Sequence, residues 1–117
     1  MTATLTAGVL NIEGTAKADT ITVQQTGDQL AVRNGTAVLQ IRVGTGNVNQ
    51  VATSQVQQIK INSLGGTDTI SLAGVAIGAN INGGDGIDNI TGGVGNDTIT
   101  GGLGNDVLNG GGGVNTL

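Results

Sequence analysis

The residues able to do chemistry are few and of one kind. Asp68, Asp85, Asp88, Asp97 and Asp106 all lie in the second half of the chain, where no Lys or Arg follows Lys60. Carboxylates without cationic partners are either solvated or set to take a metal ion. His and Cys are absent, which removes the usual catalytic triads, thiolate nucleophiles, disulfides, and imidazole or sulfur metal ligands. The four basic residues all fall within the first 60 positions and there is no aromatic ring, which argues against nucleic-acid binding. Carboxylates alone are a poor catalytic kit, so the expectation is that this chain is not an enzyme.

Spacing sharpens the metal reading. Gly83-Gly84-Asp85-Gly86-Ile87-Asp88-Asn89-Ile90-Thr91 is followed without a gap by Gly92-Gly93-Val94-Gly95-Asn96-Asp97-Thr98-Ile99-Thr100 and Gly101-Gly102-Leu103-Gly104-Asn105-Asp106-Val107-Leu108-Asn109. A fourth stretch from Gly110 keeps the frame but places Asn115 where Asp is expected, and Gly66-Thr67-Asp68-Thr69-Ile70-Ser71 is a half-match. A flexible Gly/Asn/Asp linker has no need of an apolar residue at every eighth position. Gly at the first, second and fourth places frees the backbone for positive φ, so that carbonyls can converge on an ion. Ca²⁺ takes roughly six to eight hard oxygen ligands, which carbonyls and carboxylates together supply. Ile90, Ile99 and Leu108 are expected to point inward from short strands, with Thr91, Thr100 and Asn109 outward.

The pattern G-G-x-G-x-D-x-U-x, with U a large apolar residue, resembles the RTX (repeats-in-toxin) family of secreted bacterial proteins, strictly over residues 83–109 and loosely over 63–117. The resemblance implies a right-handed parallel β-roll in which six residues turn, three make a strand, and two nonapeptides complete one coil. Ca²⁺ then sits between loops stacked on the same side. Residues 18 apart would share a side, so Asp88 and Asp106 would hold an ion with the carbonyls of Gly84, Gly86, Gly102 and Gly104. Asp68 would extend that row if its two-residue excess is looped out. The other row, with Asp97, Gly93 and Gly95, is poorer, because Asp97 stacks between Ala79 and Asn115. Asp85 reads as solvated, and Asp19 as a turn residue.

These loops must be positioned by strands. The chain of 117 residues has 23 Gly and no Pro, and is rich in Val, Ile and Thr, a β-forming composition with turns throughout. The expected architecture is all-β: a β-rich cap over residues 1–61, and a calcium-binding parallel β-roll over 62–117 that begins near residue 62. Expected strands in the cap are Val9–Ile12, Thr20–Gln24, Leu30–Arg33, Val38–Val43 and Val56–Asn62. Thr26-Gly27-Asp28 and Asn34-Gly35 read as turns, residues 44–50 as a loop, and Gln50–Gln58 as a poor short helix. With no ring to fill it, the core must be thin and layered.

The function expected is an extracellular, bacterial-type calcium-binding structural module. The alternative is a self-assembling or adhesive surface protein, a homo-oligomer or filament joined through open solenoid ends, since the sequence stops at Leu117 within a repeat. A non-catalytic domain of a secreted enzyme or toxin is a further reading. Gly44-Thr45-Gly46 lacks the third Gly of a dinucleotide fingerprint, and the outward Thr rank is too broken for an ice-binding face. No apolar run approaches 18 residues, so no membrane-spanning helix is expected, and no signal peptide is visible.

Overall fold

Short alternating segments make the strands: Leu10 and Ile12 are buried between half-buried or exposed neighbours, as are Ile59 and Ile61. The computed structural model covers residues 1–117 and is all-β. Its strands are β1 Thr2–Thr6, β2 Val9–Glu13, β3 Thr20–Thr26, β4 Gln29–Asn34, β5 Ala37–Leu39, β6 Ile41–Val43, β7 Gly46–Val48, β8 Val51–Ala52, β9 Gln58–Asn62, β10 Thr69–Ser71, β11 Ala79–Asn82, β12 Asn89–Thr91, β13 Thr98–Thr100 and β14 Val107–Asn109. They form two mixed sheets. One runs β13-β11-β9-β2-β1-β6-β7, the other β14-β12-β10-β3-β4-β5, with β8 added on β4.

The chain passes from one sheet to the other with each turn. Strands β2, β9, β11 and β13 pair in parallel in the first sheet, and β3, β10, β12 and β14 do so in the second. Four coils result: β2–β3, β9–β10, β11–β12 and β13–β14. In-register ladders run through them, Ile12-Ile61-Ile81-Ile99 on one side and Ile21-Ile70-Ile90-Leu108 on the other. Burying each such side chain contributes about 1.5–3 kcal/mol. The inward Ile90 and Ile99 and the outward Thr100 and Asn109 lie as the pattern predicts, with Leu108 half-buried.

The expected start of the stack near residue 62 does not describe the ladder. Coil 1 lies at β2–β3, and a single core of 20 residues runs from Ala3 to Ile99 across the 61/62 boundary. Its partner strands are far away in sequence, Thr20 pairing with Thr69, because β4–β8 is inserted between β3 and β9. That insertion contains no nonapeptide, so it hides the period.

Local differences have local causes. The expected strand Val38–Val43 breaks at Gln40, β5 pairing with β4 in one sheet and β6 with β1 in the other. Residues 44–50 are not a plain loop, since β6 and β7 form a hairpin closed by Gly44 at φ 60°. Over Gln50–Gln58 extended structure replaces the expected helix: Val51, buried against β4, and Ala52 make β8, and only Thr53–Gln55 form a 3₁₀ turn. The Asn34-Gly35 turn shifts by one, with Asn34 paired to Ala37 and Gly35-Thr36 turning. Gly27-Asp28 turns the β3–β4 hairpin as expected.

Candidate metal centre

Parallel stacking places the loop aspartates in columns. The N–H of Asp19 donates to Asp68 Oδ1 at 2.8 Å, that of Asp68 to Asp88 Oδ1 at 2.9 Å, and that of Asp88 to Asp106 Oδ1 at 2.8 Å. The other column reads Ala79, Asp97, Asn115: Ala79 N–H donates to Asp97 Oδ1 and Asp97 N–H to Asn115 Oδ1, both at 2.9 Å. Each carboxylate therefore satisfies the backbone of the coil before it. Asp68 joins the first column despite lying 20 residues before Asp88, and the two extra residues are absorbed in the Leu72–Gly78 segment between β10 and β11. Leu72 and Val75 turn inward there and add to the core. Asp85 is exposed.

The second carboxylate oxygen sets Asp68 and Asp88 apart from Asp19 and Asp97. Asp97 Oδ2 accepts the N–H of Gly93 at 2.9 Å, and Asp19 Oδ2 accepts the N–H of Thr15 at 2.7 Å and its hydroxyl at 3.1 Å. Asp68 Oδ2 and Asp88 Oδ2 are buried and accept nothing. The cause is backbone conformation at the second loop position. Leu64, Gly84 and Gly102 sit at φ 71°, 88° and 91°, which turns the local N–H away from the carboxylate. Gly84 N–H goes instead to Asn82 Oδ1 at 3.1 Å. Burial pushes the Asp88 carboxyl above the usual carboxylate range; the charges of Asp68 and Asp106 add to this, and the hydrogen bond from Asp68 N–H opposes it.

The glycines divide by role in a way the spacing did not reveal. The second and fourth places take positive φ at Gly84, Gly86, Gly102 and Gly104, as predicted. The first place does not: a Cβ on Gly83 would meet Asp88 Oδ2 at 2.5 Å, and one on Gly92 would meet Asp97 Oδ2 at 2.5 Å. That glycine makes room for the carboxylate of its own repeat. Gly93 and Gly95 also lack positive φ, unlike their counterparts. They lie over the irregular Leu72–Gly78 segment, and a Cβ on Gly95 would meet Ala76 O at 2.6 Å. Ser63 occupies the first place in coil 2 and donates its hydroxyl to Gly83 O at 2.7 Å, leaving Asp68 Oδ2 alone.

The donor set fits a hard cation. Two carboxylate oxygens are orphaned, and the carbonyls of Gly66 and Gly86 accept no backbone hydrogen bond. No three acidic side chains cluster as an all-carboxylate cage, so carbonyls must supply part of any shell, which suits Ca²⁺ better than a transition metal. Residues 82–117 match the family model of the RTX calcium-binding nonapeptide repeat, in four copies. This segment is made of RTX repeats. Such repeats bind Ca²⁺, and Asp88, Asp97, Asp106 and Asn115 stand at their sixth positions. Asp68 and Asp19 lie outside the matched RTX segment, yet the same column runs through them. Comparison with curated proteins and with solved structures finds no match for the chain.

Proposed function

We propose that this chain is an extracellular, non-enzymatic structural module whose coils form a right-handed parallel β-roll ordered by Ca²⁺ between the loops of the Asp68–Asp88–Asp106 column. The observation that carries the reading is the pair of buried, unpartnered oxygens on Asp68 and Asp88. A buried carboxylate oxygen without a partner costs about 1–3 kcal/mol or more, and stacked like charges add to that. Bound Ca²⁺ supplies the missing positive charge and hard-acid partner. Ions would sit between successive loops of the column, shared by Asp68 with Asp88 or by Asp88 with Asp106, with loop carbonyls such as those of Gly66, Gly84, Gly86, Gly102 and Gly104 completing each shell. In this reading Asp97 is the lesser contributor, because Gly93 already satisfies its second oxygen.

Location follows from the same chemistry. Extracellular calcium modules work at about 10⁻⁴–10⁻³ M, so a site of this kind stays empty and self-repelling in a calcium-poor cytosol and orders outside the cell. The test is amide exchange and circular dichroism of the intact chain in chelator, in magnesium and in calcium. Protection of residues 83–109 should rise with calcium and not with magnesium. Equal protection in chelator and calcium overturns the reading.

A further inference from the structure

The outer face of the first sheet carries a groove of about 370 Å³ that the calcium chemistry leaves unused. It lies at the leading ends of three parallel strands: Gln57 and Gln58 at β9, Asn80 on β11, and Asn96 and Thr98 at β13. Only two of its eight lining residues are hydrophobic and none is charged. Gln57, Gln58, Asn80 and Thr98 make no side-chain hydrogen bond within the protein. Asn96 uses Oδ1 alone, accepting Val114 N–H at 2.8 Å, which fixes the amide and leaves its NH₂ free.

Four amides and a hydroxyl therefore converge with donors and acceptors to spare, each amide able to give and to accept at once. That is the complement of a hydroxyl array. The groove has no cation for a phosphate, sulfate or carboxylate, since the nearby Lys60, in register with Asn80, does not line it. It has no acid for an amine and too little apolar surface for a lipid. The backbone of β11 beneath it is already paired on both sides, to β9 and β13, so an extended peptide finds no free ladder there. Its volume falls within the usual range of small-molecule sites. We propose that this groove binds a neutral saccharide chain, lying across strands spaced about 4.8 Å apart, through the amides of Gln57, Gln58, Asn80 and Asn96. Lacking an aromatic platform, it should bind weakly, with Kd of about 1 mM.

The experiment is an NMR titration of the ¹⁵N-labelled full chain in calcium with cellohexaose, laminarihexaose and maltohexaose separately, reading side-chain NH₂ signals. At least one of the three should shift the signals of the four groove amides saturably, while the exposed amides of Asn47 and Asn105 stay put. Asn80→Ala and Gln58→Ala remove exposed, unbonded side chains, so folding should be unchanged by circular dichroism, while affinity falls at least about fivefold. The proposal is overturned if none of the three saturates by tens of millimolar, if Asn47 and Asn105 shift equally, or if both variants bind as the parent does.

Discussion

Asp88→Asn separates what this carboxylate does for the fold from what it does for an ion. The protein contains its own template for the change: Asn115 sits at the equivalent place in its own repeat, accepts Asp97 N–H through Oδ1 at 2.9 Å, and donates Nδ2 to Gly112 O at 2.9 Å. The substituted amide would keep the bond from Asp68 N–H and turn its NH₂ to the corresponding carbonyl, that of Asp85. An orphaned acceptor costing about 1–3 kcal/mol is thereby replaced by a satisfied donor, and a charge facing Asp68 and Asp106 disappears. In chelator the variant should be more stable than the parent by about 1 kcal/mol, or about 4 °C in Tm. Calcium reverses the order. At an ion concentration tenfold above Kd, each bound ion stabilises the parent by about 1.4 kcal/mol, and the variant loses that gain where Asp88 is a ligand. Melting curves of both proteins in EDTA and in about 10 mM calcium should therefore cross. A variant less stable than the parent in EDTA refutes the account of the orphaned oxygen, and one with the parent's full calcium shift removes Asp88 from the site.

Asp97→Ala should behave oppositely: it strands the N–H groups of Ala79 and Gly93, at about 1–3 kcal/mol each, so the loss should be large in chelator while the calcium response stays close to the parent's. Gly83→Ala places a methyl against Asp88 Oδ2 at 2.5 Å and Gly101 O at 2.7 Å, and should cost about 1–3 kcal/mol as overpacking, read as a fall in denaturation midpoint with or without calcium. Asp88 titrates above the usual carboxylate range when folded, so the folded state holds its proton more tightly than the unfolded chain. Its contribution to calcium-free stability is therefore full below the ordinary carboxylate pKa and lost as pH rises through the raised value. Denaturant melts in EDTA should show that decline with rising pH, and Asp88→Asn should flatten it.

The repeat was legible because its period is short and its residues are diagnostic. Nine-residue spacing located Asp88, Asp97 and Asp106, and the eighteen-residue pairing put Ala79 below Asp97 and Asn115 above it, where the hydrogen bonds lie. Coil 1 was not legible as a coil. Asp19-Thr20-Ile21-Thr22 echoes Asp97-Thr98-Ile99-Thr100, but its partner Asp68 lies 49 residues on, beyond the β4–β8 insertion. Loop conformation was hidden for another reason. The same glycine pattern takes positive φ over coil 2 and not over the Leu72–Gly78 segment, so the layer beneath decides it. A single repeat read alone cannot reveal that.

One sequence position is thus met in three ways, and the difference localises the demand for an ion. At Asp19, Thr15 replaces the second glycine, and its N–H and hydroxyl both reach the carboxylate, so coil 1 is satisfied by its own loop. At Asp97 the Gly93 N–H does the same. Only Asp68 and Asp88, whose second-position residues carry positive φ, keep a buried oxygen without a partner. Coil 1 also pairs β2 and β3 with antiparallel neighbours β1 and β4, which need no ion. In the proposed reading the N-terminal coil stands without calcium and offers its strands and the Asp19 N–H to coil 2. The cost of ordering without an ion falls on the coils stacked above it, so a calcium-free chain should lose its protection from β10 onward while β1–β4 retain theirs.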